Sequence, residues 1–228
     1  MMKHLFVVAH PDDEILGAGA YIYDRAKAGD EIGVMVLNTC DTTRYDECVT
    51  KIVEDLRVSQ KIVGVKKTWL CDYLDSNFHR ADHREMVQAI EKVIREFEPD
   101  RVYTQHPGDI NTDHYWTAAS CMEAFRLWQR GREDVKPIEG LYLMEVQSST
   151  DWAMNPSLKK FDPNTYVEVS EEGVAAKLMA LETYENVIRK RPHPRSEEAI
   201  LTLPILRGGQ AGYEYAEAFE CVFRRESL

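Results

Sequence analysis

The sequence predicts an α/β fold: a doubly wound, mostly parallel sheet with helices on both faces. Two observations carry this. Short apolar runs alternate along the chain with stretches of helical periodicity, the pattern of parallel strands joined by right-handed crossovers. The early runs are also apolar at successive positions, not at every second one. That is how strands covered on both faces read.

The elements follow in order. Leu5–Ala9 (LFVVA) is a buried strand, and 14–28 a helix with Ile15, Ala18, Ile22 and Ala26 on one side. Ile32–Leu37 is the second strand. Residues 46–63 are helical, with Ile52, Val53, Leu56 and Val63 near one face, closed by Gly64. Thr68–Cys71 is a short third strand. In 82–97, Met86, Val87, Ile90, Val93, Ile94 and Phe97 follow an amphipathic helical spacing, and Pro99 stops the helix. Arg101–Gln105 is the fourth strand, and 113–129 a helix that turns Ala118, Cys121, Met122, Phe125 and Trp128 inward. Residues 140–146 and 165–169 read as later strands and 171–189 as a helix. The segment 213–223 is regular but of undecided type. The rest of 131–163, and 191–212, read as long loops able to form a site. Without a repeat or a Gly/Pro/Ser-rich linker, 1–228 reads as a single domain.

Composition excludes several classes. Lys and Arg number 28 against 39 Asp and Glu, a net charge of −11. That balance argues against nucleic acid or an anionic membrane surface as the main partner. No apolar run approaches the ~20 residues of a membrane span. The short apolar start runs directly into charged residues, unlike a signal peptide, so a cytoplasmic chain is expected. The five cysteines (Cys40, Cys48, Cys71, Cys121, Cys221) are odd in number and form no C-x-x-C pair. Reduced thiols are expected rather than disulfides or a thiolate zinc site.

The chemistry concentrates after two strands. Ala9-His10-Pro11-Asp12-Asp13-Glu14 leaves the first strand and opens the first helix, where ligands bind in an open α/β sheet. An imidazole with one carboxylate suits zinc, and a second carboxylate is free to act as a base. A helix cap and a packed histidine explain this segment alone equally well. The second cluster shifts that balance. Gln105-His106-Pro107-Gly108-Asp109-Ile110-Asn111-Thr112-Asp113-His114 follows the fourth strand on the same rim. Turn and cap preferences account for its Asp and Asn, but not for three histidines beside carboxylates.

A-H-P-D-D-E with D-x-N-x-D-H about a hundred residues later resembles the PIG-L/LmbE-like family of zinc-dependent N-acetylglucosaminyl deacetylases. The stretch Arg207-Gly208-Gly209 to Gly212-Tyr213-Glu214-Tyr215-Ala216-Glu217-Ala218-Phe219 is similar to that family's ending. The resemblance implies a Rossmann-like hydrolase with His10, Asp13 and His114 as ligands of Zn2+, or of Fe2+ or Co2+, and Asp12 as general base. Many members carry a histidine three positions before the last ligand. Here that position is Asn111, which can donate a hydrogen bond but cannot titrate, so Asn111 or His106 is expected to steady the oxyanion, and protonated Asp12 or His106 to supply the proton. Asp109 and Asp113 are expected to orient imidazoles.

Other rim residues give fainter indications. Asp41, Thr42 and Arg44 after the second strand, and Asp72, Asp75 and Arg80 after the third, are candidates for sugar contacts, foremost Arg44, Asp75 and Arg80. The basic run Arg189-Lys190-Arg191 with Arg195 could hold a substrate phosphate or form a solvated helix end. The expected activity is removal of an acetyl group from an amino-sugar substrate, with self-association left open. The alternatives are amide hydrolysis on a non-sugar or sugar–thiol conjugate, and a metal- or sugar-binding module without turnover. A binding module has no need of the spare carboxylate of Asp12.

Overall fold

A computed structural model describes residues 1–39, 49–131 and 134–226. Asp41, Thr42, Arg44, Cys40 and Cys48 lie outside the described residues. The strands are β1 (Lys3–Val8), β2 (Glu31–Val36), β3 (Lys67–Leu70), β4 (Arg101–Gln105), β5 (Gly140–Met144), β6 (Thr165–Glu168) and β7 (Ala216–Arg224). The helices are α1 (Asp13–Lys27), α2 (Val49–Val63), α3 (His83–Phe97), α4 (Thr112–Phe125), α5 (Glu171–Leu181) and α6 (Glu197–Ala211).

One seven-stranded sheet runs in the order β3-β2-β1-β4-β5-β7-β6. Its first five strands pair in parallel, while β7 is antiparallel to both β5 and β6. The alternation of β1 divides two cores. Phe6 and Val8 pack with α1, α2 and α5 on one face, and Leu5, Val7 and Ala9 with α3 and α4 on the other. From β1 the chain winds outward one way to β3. From β4 it winds the other way. The switch point therefore lies between the carboxyl ends of β1 and β4, where both polar segments emerge.

Two sequence expectations are corrected, and one left open is decided. Residues 191–212 hold α6, not a loop. Its Ser196 cap accepts the Ala199 N–H and two glutamates fill its first turn, but Pro204 and the Gly208-Gly209 pair hide its periodicity. The helix expected over 171–189 ends at Leu181, and the following residues turn to wall a cavity. The untyped 213–223 region is β7, a strand.

Helix α1 carries the first motif, and its backbone is interrupted. Ala18 has φ −153° and ψ 23°, outside the helical region. The groups freed by this break are taken up by a buried ion pair. Glu217 on β7 accepts the N–H groups of Ala20 (3.4 Å) and Tyr21 (2.7 Å). Lys177 on α5 donates to the Leu16 carbonyl (2.8 Å) and to Glu217 (2.7 Å). Both side chains are almost fully buried. Beside the break, a Cβ on Gly17 would meet Met144 Sδ at 2.5 Å, so any side chain there would have to displace that methionine from between α1 and β5.

His4 is completely buried on β1. Its Nδ1 is 3.3 Å from the hydroxyls of Tyr103 and Tyr21, and its Nε2 3.2 Å from Asp30. Burial outweighs the Asp30 carboxylate and lowers its pKa to about 4.

Two outcomes follow from these buried groups. Lys177→Met leaves Glu217 buried without its cation and should lower unfolding stability by about 3–5 kcal/mol. The reading is the urea midpoint at constant slope, and an unmoved midpoint removes the pair from this role. His4 binds its proton in the unfolded chain near pH 6.5 but in the fold only near 4. Its contribution is whole above 6.5 and should fall by about 3 kcal/mol as pH drops to 4. That loss should be missing in His4→Gln.

Candidate active site

The turn after β1 places the first motif. Pro11 restricts His10 to an extended backbone, and Asp12 adopts φ 95° as the residue before α1. The His10 N–H donates to Asp13 Oδ2 at 2.8 Å, which folds that carboxylate back over the turn. From β4, Gln105 Nε2 donates to the same oxygen at 2.7 Å. After β4, Asn111 caps α4 by accepting the Asp113 N–H at 2.9 Å, and His114 falls in the first turn. A side chain on Gly108 would collide with the Lys159 carbonyl, so only glycine lets the loop pass there.

These turns bring His10, Asp13 and His114 together. His10 Nδ1 lies 3.4 Å from Asp13 Oδ2. His114 Nε2 lies 3.3 Å from that oxygen and 3.3 Å from His10 Nδ1. Three donors on a tetrahedral zinc with bonds of 2.0–2.1 Å stand about 3.3–3.4 Å apart, so the group fits a divalent ion in both donor type and spacing. The outer nitrogens are committed. His114 Nδ1 donates to Asp109 at 2.9 Å, which also accepts from Thr150 at 3.0 Å. His10 Nε2 faces Asp113 (3.3 Å) and Asp75 (3.2 Å). Asp113 is held in turn by the N–H groups of Ser76 and Phe78.

Electrostatics separate the two motif aspartates. Burial works against the charge on His10, Asp13 and His114, but carboxylates override it for the imidazoles (Asp113, Asp13 and Asp75 at His10, Asp13 and Asp109 at His114) and the imidazoles override it for Asp13. Both imidazoles are held above the usual range, His114 to about 10, and the Asp13 carboxyl is held well below its own. Asp12 takes part in no such cluster. Burial, then the charge of Asp13, pushes it up to about 7 against the pull of Arg195, whose Nη1 is 3.5 Å away. Asp12 is thus a carboxylate that holds a proton easily beside three groups suited to a cation.

A cavity of about 470 Å³ opens over these residues. Asp12, Asp75 and Asn111 line it with Tyr184, Gln147 and Arg195. Three of its lining residues are not glycine yet have positive φ: Asp12, Ser148 (68°) and Asn186 (63°). Strained backbone of this kind gathers at functional sites.

Other expected residues lie elsewhere. His106 is buried on the far side of its loop, with Nδ1 accepting from Gly108 N at 3.0 Å and Nε2 3.4 Å from Glu220. It does not line the cavity, so its expected role as proton donor is corrected. Arg80 is exposed and also outside the cavity. Asp75 is in the cavity, but facing His10. Of the basic run only Arg195 reaches it. Gln105, Gln147 and Tyr184 were not singled out by sequence. For Gln105 a trace was present: a glutamine ending a buried strand beside the motif.

Comparisons with known proteins bear on the family and the fold. The family model described as GlcNAc-PI de-N-acetylase, PIG-L, matches residues 5–125. A protein of Escherichia coli K12 described as an uncharacterized deacetylase, YaiS, is 27% identical over 187 residues, 80% of this chain and 90% of its own. The N,N'-diacetylchitobiose deacetylase of Pyrococcus horikoshii superposes with TM-score 0.73 at 19% identity, over 97% of this chain and 84% of its own. GalB of Pseudomonas putida KT2440, a 4-carboxy-2-hydroxymuconate hydratase, does so with TM-score 0.73 at 20% identity, over 100% and 99%. At such identities the two structures establish the fold alone, and that fold serves more than one chemistry.

Proposed function

The chain belongs to the PIG-L family of GlcNAc-PI de-N-acetylases, and we propose that it is a metal-dependent hydrolase. In this reading one domain over 1–228 removes the N-acetyl group from an N-acetylglucosamine-type sugar or its conjugate. The observation that carries the reading is Asp12, a buried carboxylate outside the ligand group yet lining the same cavity.

His10, Asp13 and His114 would hold the ion, zinc or with the same donors iron(II) or cobalt(II). When bound, it supplies a Lewis acid that polarises the acetamide carbonyl and acidifies water. The chain supplies the rest. Asp12 takes a proton from the attacking water as its oxygen bonds to the carbonyl carbon. The Asn111 side-chain carbonyl is used in capping α4, which leaves its amide N–H to donate to the carbonyl oxygen as charge builds. Asp12 then returns the proton to the nitrogen as the C–N bond breaks, giving acetate and a free amine. Asp109 and Asp113 keep the imidazole rings in place. His106 has no part in this scheme. Amide hydrolysis on a non-sugar would use the same residues, and a panel of N-acetylated sugars and simple amides separates the two.

Purified protein should bind about one divalent ion per chain, measured by elemental analysis. His114→Ala and Asp13→Ala should abolish binding, and Asp109→Asn should weaken it by about 10–100-fold. Full occupancy in the first two would overturn the ligand assignment. Acetate release should fall by roughly 10²–10⁴-fold in Asp12→Asn with the metal retained. Asn111→Ala should cost about 10²–10³-fold, again with metal retained. Metal loss in Asp12→Asn would make Asp12 a ligand, and normal turnover would remove it from the chemistry.

A further inference from the structure

The polar groups around the cavity constrain what it can hold. Among the described residues, five carboxylates line it (Asp12, Asp13, Asp55, Asp75, Glu185), against the two cations Lys51 and Arg195. With the imidazoles neutral and all five carboxylates ionised, a divalent ion would leave the lining with one formal negative charge in excess. Each cation already faces a carboxylate of the same cavity: Lys51 pairs with Glu185, and Arg195 lies 3.5 Å from Asp12. Asp55, on the α2 wall, has no ion pair among the described residues. Arg189 and Lys190, the rest of the basic run with Arg191, are exposed and outside the cavity.

An acceptor and a donor in the cavity wall are without a partner. Gln147 is 8% exposed, and its Nε2 donates to the carbonyls of Pro194 and Ala199, both at 3.1 Å. Two carbonyl neighbours fix which end of the amide is nitrogen. Its Oε1 is buried and unpartnered. Arg195 Nε is likewise buried without a partner, and offers one N–H to an acceptor. A sugar hydroxyl, which both donates and accepts, can answer either atom. A phosphate brings acceptors that Gln147 Oε1 cannot use and a charge that Asp55 repels.

We propose that the cavity selects uncharged N-acyl amino sugars, or ones already carrying a free amine, over sugars bearing phosphate or a nucleotide. Asp55 is the residue that sets this preference. The inference rests on the deacetylase reading and narrows its substrate class.

The test uses the metal-loaded protein with methyl N-acetylglucosaminide and N-acetylglucosamine 1-phosphate, which share a ring and differ in charge. At low salt kcat/KM should favour the neutral sugar by on the order of tenfold or more. The gap should narrow as salt rises, because screening acts only on the charged substrate. Asp55→Arg should move the ratio toward the phosphorylated sugar by on the order of tenfold. Calorimetric binding of the amine products, methyl glucosaminide and glucosamine 1-phosphate, separates the two levels of the claim. Tighter binding of the neutral product without hydrolysis of either substrate would overturn the deacetylase reading and support the charge preference. Equal or tighter binding of the phosphorylated product, binding of neither, or a ratio unmoved by Asp55→Arg would overturn the preference itself.

Discussion

One oxygen atom joins the two halves of the site. Asp13 Oδ2 accepts the His10 N–H from its own turn and the Gln105 amide from β4, and lies against both imidazoles. β1 and β4 are adjacent because the sheet reverses its winding there, so their carboxyl ends open side by side. The topology brings the two loops near each other. Asp13 converts nearness into a fixed arrangement of donors, because its position is shared by groups on both sides. A rotation of either loop breaks a hydrogen bond that the other loop helps to hold.

Collecting so many carboxylates in one place is unfavourable unless each has an answer, and the structure answers them in different currencies. Asp113 and Asp109 are met by backbone N–H groups, a threonine and the outer nitrogens of the histidines. Asp13 is met by the imidazoles. Glu14, fully buried beside them, has one oxygen on Gln60 and is pushed by burial up to about 8, so it carries a proton at neutral pH. Asp12 has a guanidinium 3.5 Å away, which burial and the charge of Asp13 outweigh, and is therefore left with a usable proton affinity. The gradient from fixed charge to labile charge across the three adjacent positions Asp12, Asp13 and Glu14 comes from the local partners of each residue, since the residue types are nearly the same.

The legible part of the sequence was what repeats or concentrates. The apolar runs of β1, β2 and β4 could be read because burial on both faces leaves little choice of residue. Likewise α3 showed its stripe from Met86 to Phe97, and the histidines stood out as rare groups beside carboxylates at strand ends. What escaped depends on pairing over long distances. His106 differs from His114 only by the direction its loop takes past the Lys159 carbonyl. No local pattern shows that Lys177 lies beneath α1, for on a helix one buried lysine reads like any exposed one. Helix α6 was obscured by Pro204, and the cavity wall at 182–196 by its irregular turns. Arg195 could be seen as part of a charge run, but its position against Asp12 comes from the fold that carries it there.

The break in α1 also bears on how the chain is made. Glu217, which takes up the Tyr21 N–H, lies 196 residues further along. At about 5–20 residues per second of synthesis, that is roughly 10–40 s. Throughout this interval the motif exists in the nascent chain while the helix behind it lacks the strand that completes its backbone. Fragments ending before β7 carry both polar segments without the strand that completes α1, so α1 reaches its full set of hydrogen bonds only after the ribosome has delivered β7.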